Sequence, residues 1–353
     1  MANTRLNIFG RTDVGRVRTN NEDAFLVSDL DTGGRLETPV FEVDVLDRGI
    51  LLLISDGMGG HAAGDVASAL VVESMQRTLS DPMADHSSLQ RLINHAVQRA
   101  NAVVHEAAQA AEKRGMGATL TAMLIHGAEA YVAEVGDSRG YLLRAGRLRQ
   151  ITKDQSFVQM LVDIGALSAE QARTAPQKNI ILQAMGREAA LQVSIGRLHL
   201  RRGDRLLLCS DGVSNLVTDT ELRELLGEAE VSTISDRMVD LANERGGTDN
   251  ATVIVATVEG DELPEPAEGE EVTQTIDVLQ EFTRPGGTPA ASQSKPAPVS
   301  ANPPAPSRPP ESRGALERTP MPARVSRPTP TWIWLLAGVG VAVAAYLITR
   351  SLH

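Results

Sequence analysis

The sequence predicts an α+β fold in which antiparallel strands are layered against helices. Short apolar runs at residues 50–54, 206–209 and 252–255 are typical of buried strands. Residues 119–125 and 130–135 are two further runs separated by four residues, a spacing that indicates a β-hairpin. Because the helical patterns are grouped between these strands, strands and helices are expected to occupy separate layers.

The periodicity of the apolar residues predicts two helices. The longer one covers residues 88–113, where leucine, isoleucine, valine and alanine recur every three or four residues and form one apolar stripe. Ser87 and Gln90 resemble a capping box at its start, and Gly115 is a typical stop signal. The second helix is expected over about residues 64–75. Both helices would cover a sheet with their apolar faces.

The composition excludes several classes of protein. The chain has 353 residues, a formal net charge of -11 and one cysteine. A single cysteine excludes a disulfide scaffold and a thiolate zinc finger, and it fits a reducing compartment. An acidic chain lacks the basic face that phosphate backbones require, so no nucleic-acid partner is expected. Residues 1–260 hold 35 acidic and 26 basic side chains, so the acidity belongs to the part expected to fold.

The composition changes after residue 260. Residues 261–327 begin with acidic side chains, continue with proline, alanine and serine, and contain few large apolar residues. Fifteen of the 18 prolines lie between Pro264 and Pro330. A segment of this kind cannot bury a core, so it is predicted to be a disordered, partly polyproline linker. The folded domain is therefore predicted to end near residue 260.

Residues 328–349 carry no charge and are predicted to form one transmembrane helix. The run approaches the ~20 apolar residues that a bilayer core requires. Tryptophans at one end and Tyr346 near the other match interfacial aromatic placement. A buried core helix is the alternative, but the linker supplies no core for it.

The flanking charges predict the orientation of this helix. The four arginines nearest to it in the linker are Arg313, Arg318, Arg324 and Arg327, whereas Arg350 is the single arginine or lysine of the tail, residues 350–353. The positive-inside rule then places the N-terminal side in the cytoplasm. The N-terminus also lacks the apolar region of a secretory signal. We therefore expect a single-pass protein of the cytoplasmic (inner) membrane, anchored in the lipid bilayer, whose folded domain faces the cytoplasm.

Carboxylate motifs recur where predicted strands begin or end. Ser-Asp-Gly follows a strand twice, at residues 55–57 and 210–212. Gly-Gly-Thr-Asp-Asn at residues 246–250 precedes a third strand, and Arg-Thr-Asn-Asn-Glu-Asp occupies residues 18–23. An aspartate at the end of a buried strand needs a partner for its charge, and a neighbouring glycine lets the backbone approach a ligand. These motifs are candidate parts of one functional site.

Metal chemistry explains why such carboxylates would be clustered. Carboxylates repel one another, so a cluster is stable around cations. Oxygen ligands without histidine or cysteine favour Mg²⁺ or Mn²⁺ over zinc. Two such ions that share a carboxylate could hold a bridging hydroxide and neutralise a phosphoryl group under attack. Arg18 is suited to hold phosphate oxygens in a bidentate fork.

Each motif taken alone also has a structural explanation. Glu22 and Asp23 fit a solvated turn, and Asp211 beside a glycine is an ordinary turn signal. Asp137 fits a hairpin turn, and His61 fits a residue at the start of a helix. The joint occurrence of several carboxylate motifs at strand ends is what favours a functional site.

Six motifs follow one another along the chain: RTNNEDAF, LLLISDGMGGHAAGDVAS, GMGATLTAMLI, VGDSRGYLLRAGRLRQITKDQSFV, LLLCSDGV and GGTDNATVIV. In this order they resemble the motifs of the PPM-type metal-dependent serine/threonine protein phosphatases (protein phosphatase 2C-like) in their bacterial form. The match covers residues 7–258. The resemblance implies a four-layer α-β-β-α sandwich with two antiparallel sheets between outer helices. It also implies hydrolysis of phosphoserine and phosphothreonine in proteins, with a bacterial Ser/Thr kinase and its targets as partners.

The resemblance further implies a set of ligands for two Mn²⁺ or Mg²⁺ ions. By analogy, Asp56 bridges the two ions and the Gly57 carbonyl contributes to one of them. Asp211 and Asp249 complete the other. Together these four residues would form the two-metal core.

Residues around that core resemble supporting groups of the family. Glu22 and Asp23 look like the carboxylates that hold metal-bound waters, and Asp137 matches a ligand of a third, weaker ion. Arg18 resembles the phosphate-binding arginine. His61 resembles the proposed general acid for the leaving oxygen.

Residues 155–186 resemble the flap subdomain beside the family's active site, with two departures from the family pattern. The common Asp-His-Ser is Asp-Gln-Ser here, with Gln155 in the centre. The common His-Pro-x-Arg-Asn is Ala-Pro-Gln-Lys-Asn, beginning at Ala175. These changes are expected to affect substrate choice or third-metal binding more than the two-metal core.

Other functional classes fit the sequence less well. A cysteine phosphatase needs an arginine six residues after its nucleophile, and Cys209 has Asn215 there. Residues 57–62 fit a dinucleotide-binding G-x-G-x-x-A, but Asp56 would oppose a pyrophosphate and no parallel βαβ series follows. The alternative that remains is a catalytically silent, membrane-tethered module that binds phosphoproteins.

Overall fold

The computed structural model describes residues 4–59, 63–110, 113–228 and 233–283, and these contain two antiparallel β-sheets. The strands in chain order are β1 (Arg5–Asp13), β2 (Asp23–Asp29), β3 (Gly34–Arg35), β4 (Val40–Asp44), β5 (Ile50–Met58), β6 (Gly117–Ala118), β7 (Leu120–His126), β8 (Glu129–Val135), β9 (Arg139–Arg144), β10 (Arg147–Gln150), β11 (Ser194–His199), β12 (Arg205–Cys209), β13 (Ala251–Glu259) and β14 (Ile276–Gln280). One sheet has the order β10-β9-β12-β13-β1-β4. The other has the order β14-β11-β8-β7-β5-β2-β3, with β6 paired to β5. The predicted strands and hairpin are confirmed.

Helices flank both sheets. They are α1 (Gly64–Leu79), α2 (Leu89–Ala107), α3 (Phe157–Asp163), α4 (Ala169–Thr174), α5 (Asp211–Ser214), α6 (Asp219–Leu226) and α7 (Ile234–Glu244). The predicted extent of α2 to residue 113 is wrong at its C-terminal end, because the chain must turn back to pair β6 with β5. The predicted cap is also one residue early, since the Ser88 hydroxyl accepts the Arg91 amide at 3.5 Å.

Alternation along the central strands defines the layers. On β5, Leu53 packs in a core with α1 and α2, whereas its neighbour Leu52 packs in a core between the two sheets. On β12, Leu208 belongs to the same inter-sheet core, whereas Leu207 packs against α6 and α7. Because successive strand residues face opposite sides, each central strand is buried on both faces. The expected α-β-β-α order of layers follows from these three cores.

The segment after β13 differs from the prediction. Residues 261–283, which we call the C-terminal strap, were expected to belong to a disordered linker, but the strap contains a 3₁₀ turn at Val272–Gln274 and strand β14. Leu263 and Val272 are buried in the inter-sheet core, and β14 pairs with β11. The prediction of disorder is wrong for the strap. Two apolar side chains are enough to order this segment, because they pack into a core that the rest of the domain already forms.

Ion pairs hold the acidic residues of the strap to the domain. Glu270 accepts hydrogen bonds from the Arg201 guanidinium at 2.7 and 3.2 Å. Glu271 pairs with Arg147 at 2.6 Å. The acidic composition that suggested disorder therefore has partners on the folded surface.

Residues 284–327 of the predicted linker and the predicted span at 328–349 lie outside the described residues. Among the helices of the described part of the chain, none is long and apolar enough to cross a membrane.

Candidate active site

A cleft of about 700 Å³ gathers side chains from separate segments of the chain. The predicted site residues that line it are Arg18, Glu22, Asp56, Gly57, Asp137, Asp211 and Asp249. Asp23 is buried beside this group, since its partners Ser210 and Thr252 flank two of the motifs. His61 lies outside the described residues, so its predicted role remains a prediction.

Asp56 is held at the end of β5 by its backbone. Its amide donates to the Thr119 hydroxyl at 2.9 Å, and the Thr119 amide donates to the Asp56 carbonyl at 2.8 Å. The Thr119 hydroxyl also bonds with the Ser138 hydroxyl at 2.8 Å, one residue after Asp137. Thr119 lies within one of the six motifs, but its sequence position alone does not predict this contact. It links two of the predicted metal-binding segments.

The glycines beside the two Ser-Asp pairs are required by close packing. A Cβ on Gly57 would lie 2.0 Å from the Gly64 carbonyl oxygen, at the start of α1. A Cβ on Gly212 would lie 1.9 Å from the Asn250 carbonyl oxygen. Only glycine permits these approaches. They bring helix α1 and the segment around Asp249 against the aspartates.

Asn250 organises the loop that carries Arg18 and Glu22. Its amide group donates to the carbonyls of Val14 and Asn20, each at 2.9 Å. Its side-chain oxygen accepts the Glu22 amide at 2.8 Å. No role for Asn250 is predicted from the sequence, because its partners lie more than 220 positions away. Its position directly after Asp249 was the one sequence feature that could have indicated a role at the site.

Asp23 is the most buried of the predicted site carboxylates. One of its oxygens accepts hydrogen bonds from Ser210 at 2.8 Å and from Thr252 at 2.6 Å. The other oxygen is buried without a partner among the described residues. Burial raises the pKa of Asp23 to about 7. An orphaned buried oxygen of this kind is an acceptor for an ordered water or a cation.

The carboxylates at the cleft perturb one another. Burial raises the pKa of Asp211 to about 6, and the nearby Asp249 adds to the shift. Burial and neighbouring aspartates raise the pKa values of Asp56 and Asp137 well above their usual range. A divalent cation would relieve this repulsion, so the residues fit the implied metal.

The donor atoms of the cleft favour hard divalent ions. Within the described ranges, no group of three histidine, cysteine, aspartate or glutamate side chains is arranged to hold a metal ion. Mg²⁺ typically retains several waters and is bound through one or two carboxylates. The hard oxygen donors of the cleft suit such an ion or Mn²⁺.

Arg18 brings positive charge to this acidic cleft. Its guanidinium donates to Asp249 at 2.7 Å, and 48% of its side chain is exposed. The exposed part leaves donors directed to solvent, where a phosphoryl group would enter. The position fits the predicted phosphate-binding role.

The two flap departures lie in different places. The segment that begins at Ala175 ends at Asn179, which matches the family pattern and lines the cleft together with Ile180 and Ile181; Ala175 itself is not among the described residues that line it. Gln155, in contrast, is buried, where it accepts the Gly136 amide at 3.1 Å and donates to the Glu134 carbonyl. The glutamine therefore supports the strand that leads to Asp137 and does not face the cleft.

Cys209 is a core residue. It packs among the side chains between β12 and α7, and burial raises the pKa of its thiol to about 12. A thiol that stays protonated at neutral pH is a poor nucleophile. This agrees with the exclusion of a cysteine phosphatase.

Two layered sheets, a cluster of buried carboxylates and a partly exposed arginine define a metal-dependent phosphohydrolase site. The family model described as protein phosphatase 2C matches residues 40–250. The chain belongs to the protein phosphatase 2C family.

Relatives and solved structures support the assignment. The serine/threonine protein phosphatase PstP of Mycobacterium tuberculosis is 42% identical over 250 residues, which are 70% of this chain and 44% of that protein. The chain thus spans less than half the length of this relative. The serine/threonine phosphatase stp of Listeria monocytogenes is 38% identical over 69% of this chain and 93% of its own length. The crystal structure of the PstP catalytic domain with two manganese ions covers 72% of this chain and 99% of its own, with a TM-score of 0.60 and 38% identity.

Proposed function

We propose that this protein hydrolyses phosphoserine and phosphothreonine in proteins and depends on Mn²⁺ or Mg²⁺. The observation that carries the proposal is the convergence of Asp56, Asp211 and Asp249 with Arg18 in one cleft. When bound, two divalent ions supply Lewis acidity and make water nucleophilic at neutral pH. The relative crystallised with two manganese ions supports this choice of metal.

The residues of the chain supply position and charge. The hydrogen bonds with Thr119 fix Asp56 before any ligand binds, which lowers the entropic cost of binding. Arg18 is placed to orient the phosphoryl oxygens and to neutralise their charge. Ile180 and Ile181 form an apolar wall of the cleft that would contact the substrate backbone beside the phosphate.

The silent binding module remains the alternative function. It would need the phosphate-binding arginine but no metal ligands. In this chain the predicted core ligands and Arg18 all line one cleft, which supports an enzyme.

The test measures phosphate release from a phosphothreonine peptide by the full-length protein in detergent, after chelation and then with added Mn²⁺ or Mg²⁺. We expect turnover that appears with metal and disappears with chelator. Absence of turnover at every metal concentration, together with retained peptide binding, would favour the silent module.

We also propose that residues 328–349 tether the enzyme to the inner membrane with the catalytic domain in the cytoplasm. The support is the uncharged run, its aromatic ends and the four arginines that precede it. Fractionation of cells that express the full chain or a chain lacking 328–349 tests this. Recovery of the full chain in the soluble fraction would contradict the tether.

A Ser/Thr kinase and its targets are the proposed partners, supported by the names of the relatives as serine/threonine phosphatases. Phosphoproteomics of a strain that lacks this protein would identify them as sites whose phosphorylation rises. An unchanged phosphothreonine profile would contradict this assignment.

A further inference from the structure

Arg187 belongs to two cavities at once. It lines the catalytic cleft, and it also lines an adjacent pocket of about 540 Å³. The described residues that line this second pocket are His105, Ala108, Gln109, Arg114, Gly115, Met116, Gly186 and Arg187. They include two arginines and a histidine and no carboxylate. The second pocket is therefore a basic neighbour of an acidic catalytic cleft.

Helix α2 fixes the backbone that carries Arg187. The buried Asn101 accepts the Gly186 amide at 2.7 Å and donates to the Glu188 carbonyl at 2.9 Å. One turn later, His105 bonds through Nδ1 with the Gly186 carbonyl at 2.9 Å. Two side chains of one helix thus hold the loop on both sides of Arg187, so its position is set before any substrate binds.

Close packing adds to this support. Gly186 has a φ of +82°, and a Cβ there would lie 2.3 Å from Val104 of α2. A Cβ on Gly117 would lie 3.3 Å from Cγ of Arg187, so the stem of the arginine passes over the bare backbone of β6. Larger residues at either glycine would displace Arg187 from the boundary between the cavities.

Within the described part of the fold, the two arginines make no side-chain contact that would stabilise the structure by hydrogen bonding or ion pairing. Among the described residues, neither Arg187 nor Arg114 has a side-chain hydrogen bond or an ion pair, although both are exposed. Other arginines of this acidic chain pair with carboxylates, as Arg139 does with Asp154 at 2.7 Å. Unpaired guanidinium groups beside a phosphate cleft are suited to bind a second anion.

We propose that Arg187 and Arg114 form an anion subsite that selects substrates with a second negative group near the phosphoresidue to be hydrolysed. In an extended peptide, a residue two or three positions away lies roughly 7–10 Å from the first. Because Arg187 lines both cavities, a group at that position can be next to the second pocket while the phosphoresidue occupies the cleft. The group is a phosphate or a carboxylate, both of which a guanidinium binds through paired hydrogen bonds. The inference rests on the proposed phosphatase activity and specifies its substrate class.

The experiment compares phosphothreonine peptides that differ at one position, two or three residues from the phosphothreonine. That position carries a non-hydrolysable phosphonate, a glutamate or a neutral glutamine, and kcat/KM is measured for the full-length protein with Mn²⁺. We expect kcat/KM to be about five- to tenfold higher with the phosphonate than with glutamine, through a lower KM, and less so at high salt. If the glutamate peptide has the same kcat/KM as the phosphonate peptide, the subsite binds a carboxylate.

Arg187→Ala and Arg114→Ala should each bring the ratio between anionic and neutral peptides towards one. Arg99→Ala, an exposed arginine of α2 outside the pocket, should leave the ratio unchanged. Equal kcat/KM for anionic and neutral peptides in the unmodified protein, or a ratio that survives both substitutions, would overturn the subsite. Absence of turnover with every peptide would instead overturn the proposed function.

Discussion

At the scale of single residues, burial separates the functional carboxylates from the acidic surface. Asp261 is 89% exposed, whereas Asp56 and Asp211 lie where burial raises their pKa values. All three are aspartates in an acidic chain, so composition alone could not distinguish them. The Ser-Asp-Gly motif at a strand end distinguishes Asp56 and Asp211 from Asp261, because it combines a buried strand with a backbone that permits close approach of a ligand.

The first prediction concerns these aspartates. Asp56→Asn and Asp211→Asn should each lower kcat/KM by at least about 100-fold, since weaker ligands lose metal affinity. The metal-free fold should be no less stable, because each substitution removes a buried charge that has like-charged neighbours. Phosphopeptide assays and thermal melts with chelator measure both effects. Asp261→Asn is the matched control, and near-normal turnover in either site variant would contradict the metal assignment.

At the scale of elements, α6 shows how a local motif is completed by a distant partner. Thr218 and Glu221 form a capping box, in which the Glu221 carboxylate accepts the Thr218 amide at 2.9 Å. The same carboxylate accepts from Arg245, directly after α7, at 2.7 Å. The hydrogen bonds from Arg245 and Thr218 hold the pKa of Glu221 below its usual value.

Glu221→Gln keeps the capping box but loses the charge. Because both partners are partly exposed, we expect a loss of only about 0.5–1 kcal/mol at pH 7. A lowered folded pKa stabilises the protein above the ordinary value of 4.5, and this contribution is lost as the pH falls towards the folded pKa. The stabilities of the two proteins, measured by urea unfolding, should therefore differ at pH 7, and the difference should begin to shrink only as the pH falls below about 4.5, towards the lowered folded pKa. A difference that grows on acidification would contradict this reading of Glu221.

Element boundaries were less predictable than element types. The apolar stripe predicted α2 correctly, but it could not locate the end at Ala107. The terminus depends on where β6 must pair, and that is a contact between distant segments. The apolar stripe also gave no indication that Asn101 is a buried polar residue. Its hydrogen bonds reach loop residues 85 to 88 positions away.

At the scale of the whole molecule, the C-terminal strap links the two sheets, since β14 extends one sheet beside β11 and Thr275 bonds with Arg144 of the other. Thr275 is buried and accepts a hydrogen bond from Arg144 at 2.7 Å. Arg144 also forms a fully buried ion pair with Asp204. A buried charge that loses a partner is costly, so the strap supports the core as well as covering it.

Shortening the chain tests this role. A protein ending at residue 283 should unfold like the domain of the full chain, whereas one ending at residue 260 should be several kcal/mol less stable. The reason is that burial of Leu263 and Val272 contributes roughly 1.5–3 kcal/mol each, before the loss at Arg144 is counted. Chemical denaturation of both proteins, with chelator present, measures the difference. Equal midpoints would show that the strap is dispensable.

The sequence by itself determined the α+β class, five of the strands, the family resemblance and the candidate carboxylates of the site. These follow from patterns that a short stretch of chain contains, namely periodicity, turn residues and motif order. Tertiary structure decided the end of α2, the order in the strap, the contacts of Thr119, Asn250 and Gln155, and the position of Arg187. Each of these depends on contacts between segments distant in the chain, such as the bond from Asn250 to Val14 across 236 positions. Such contacts form only when the layers pack, and no local pattern records them.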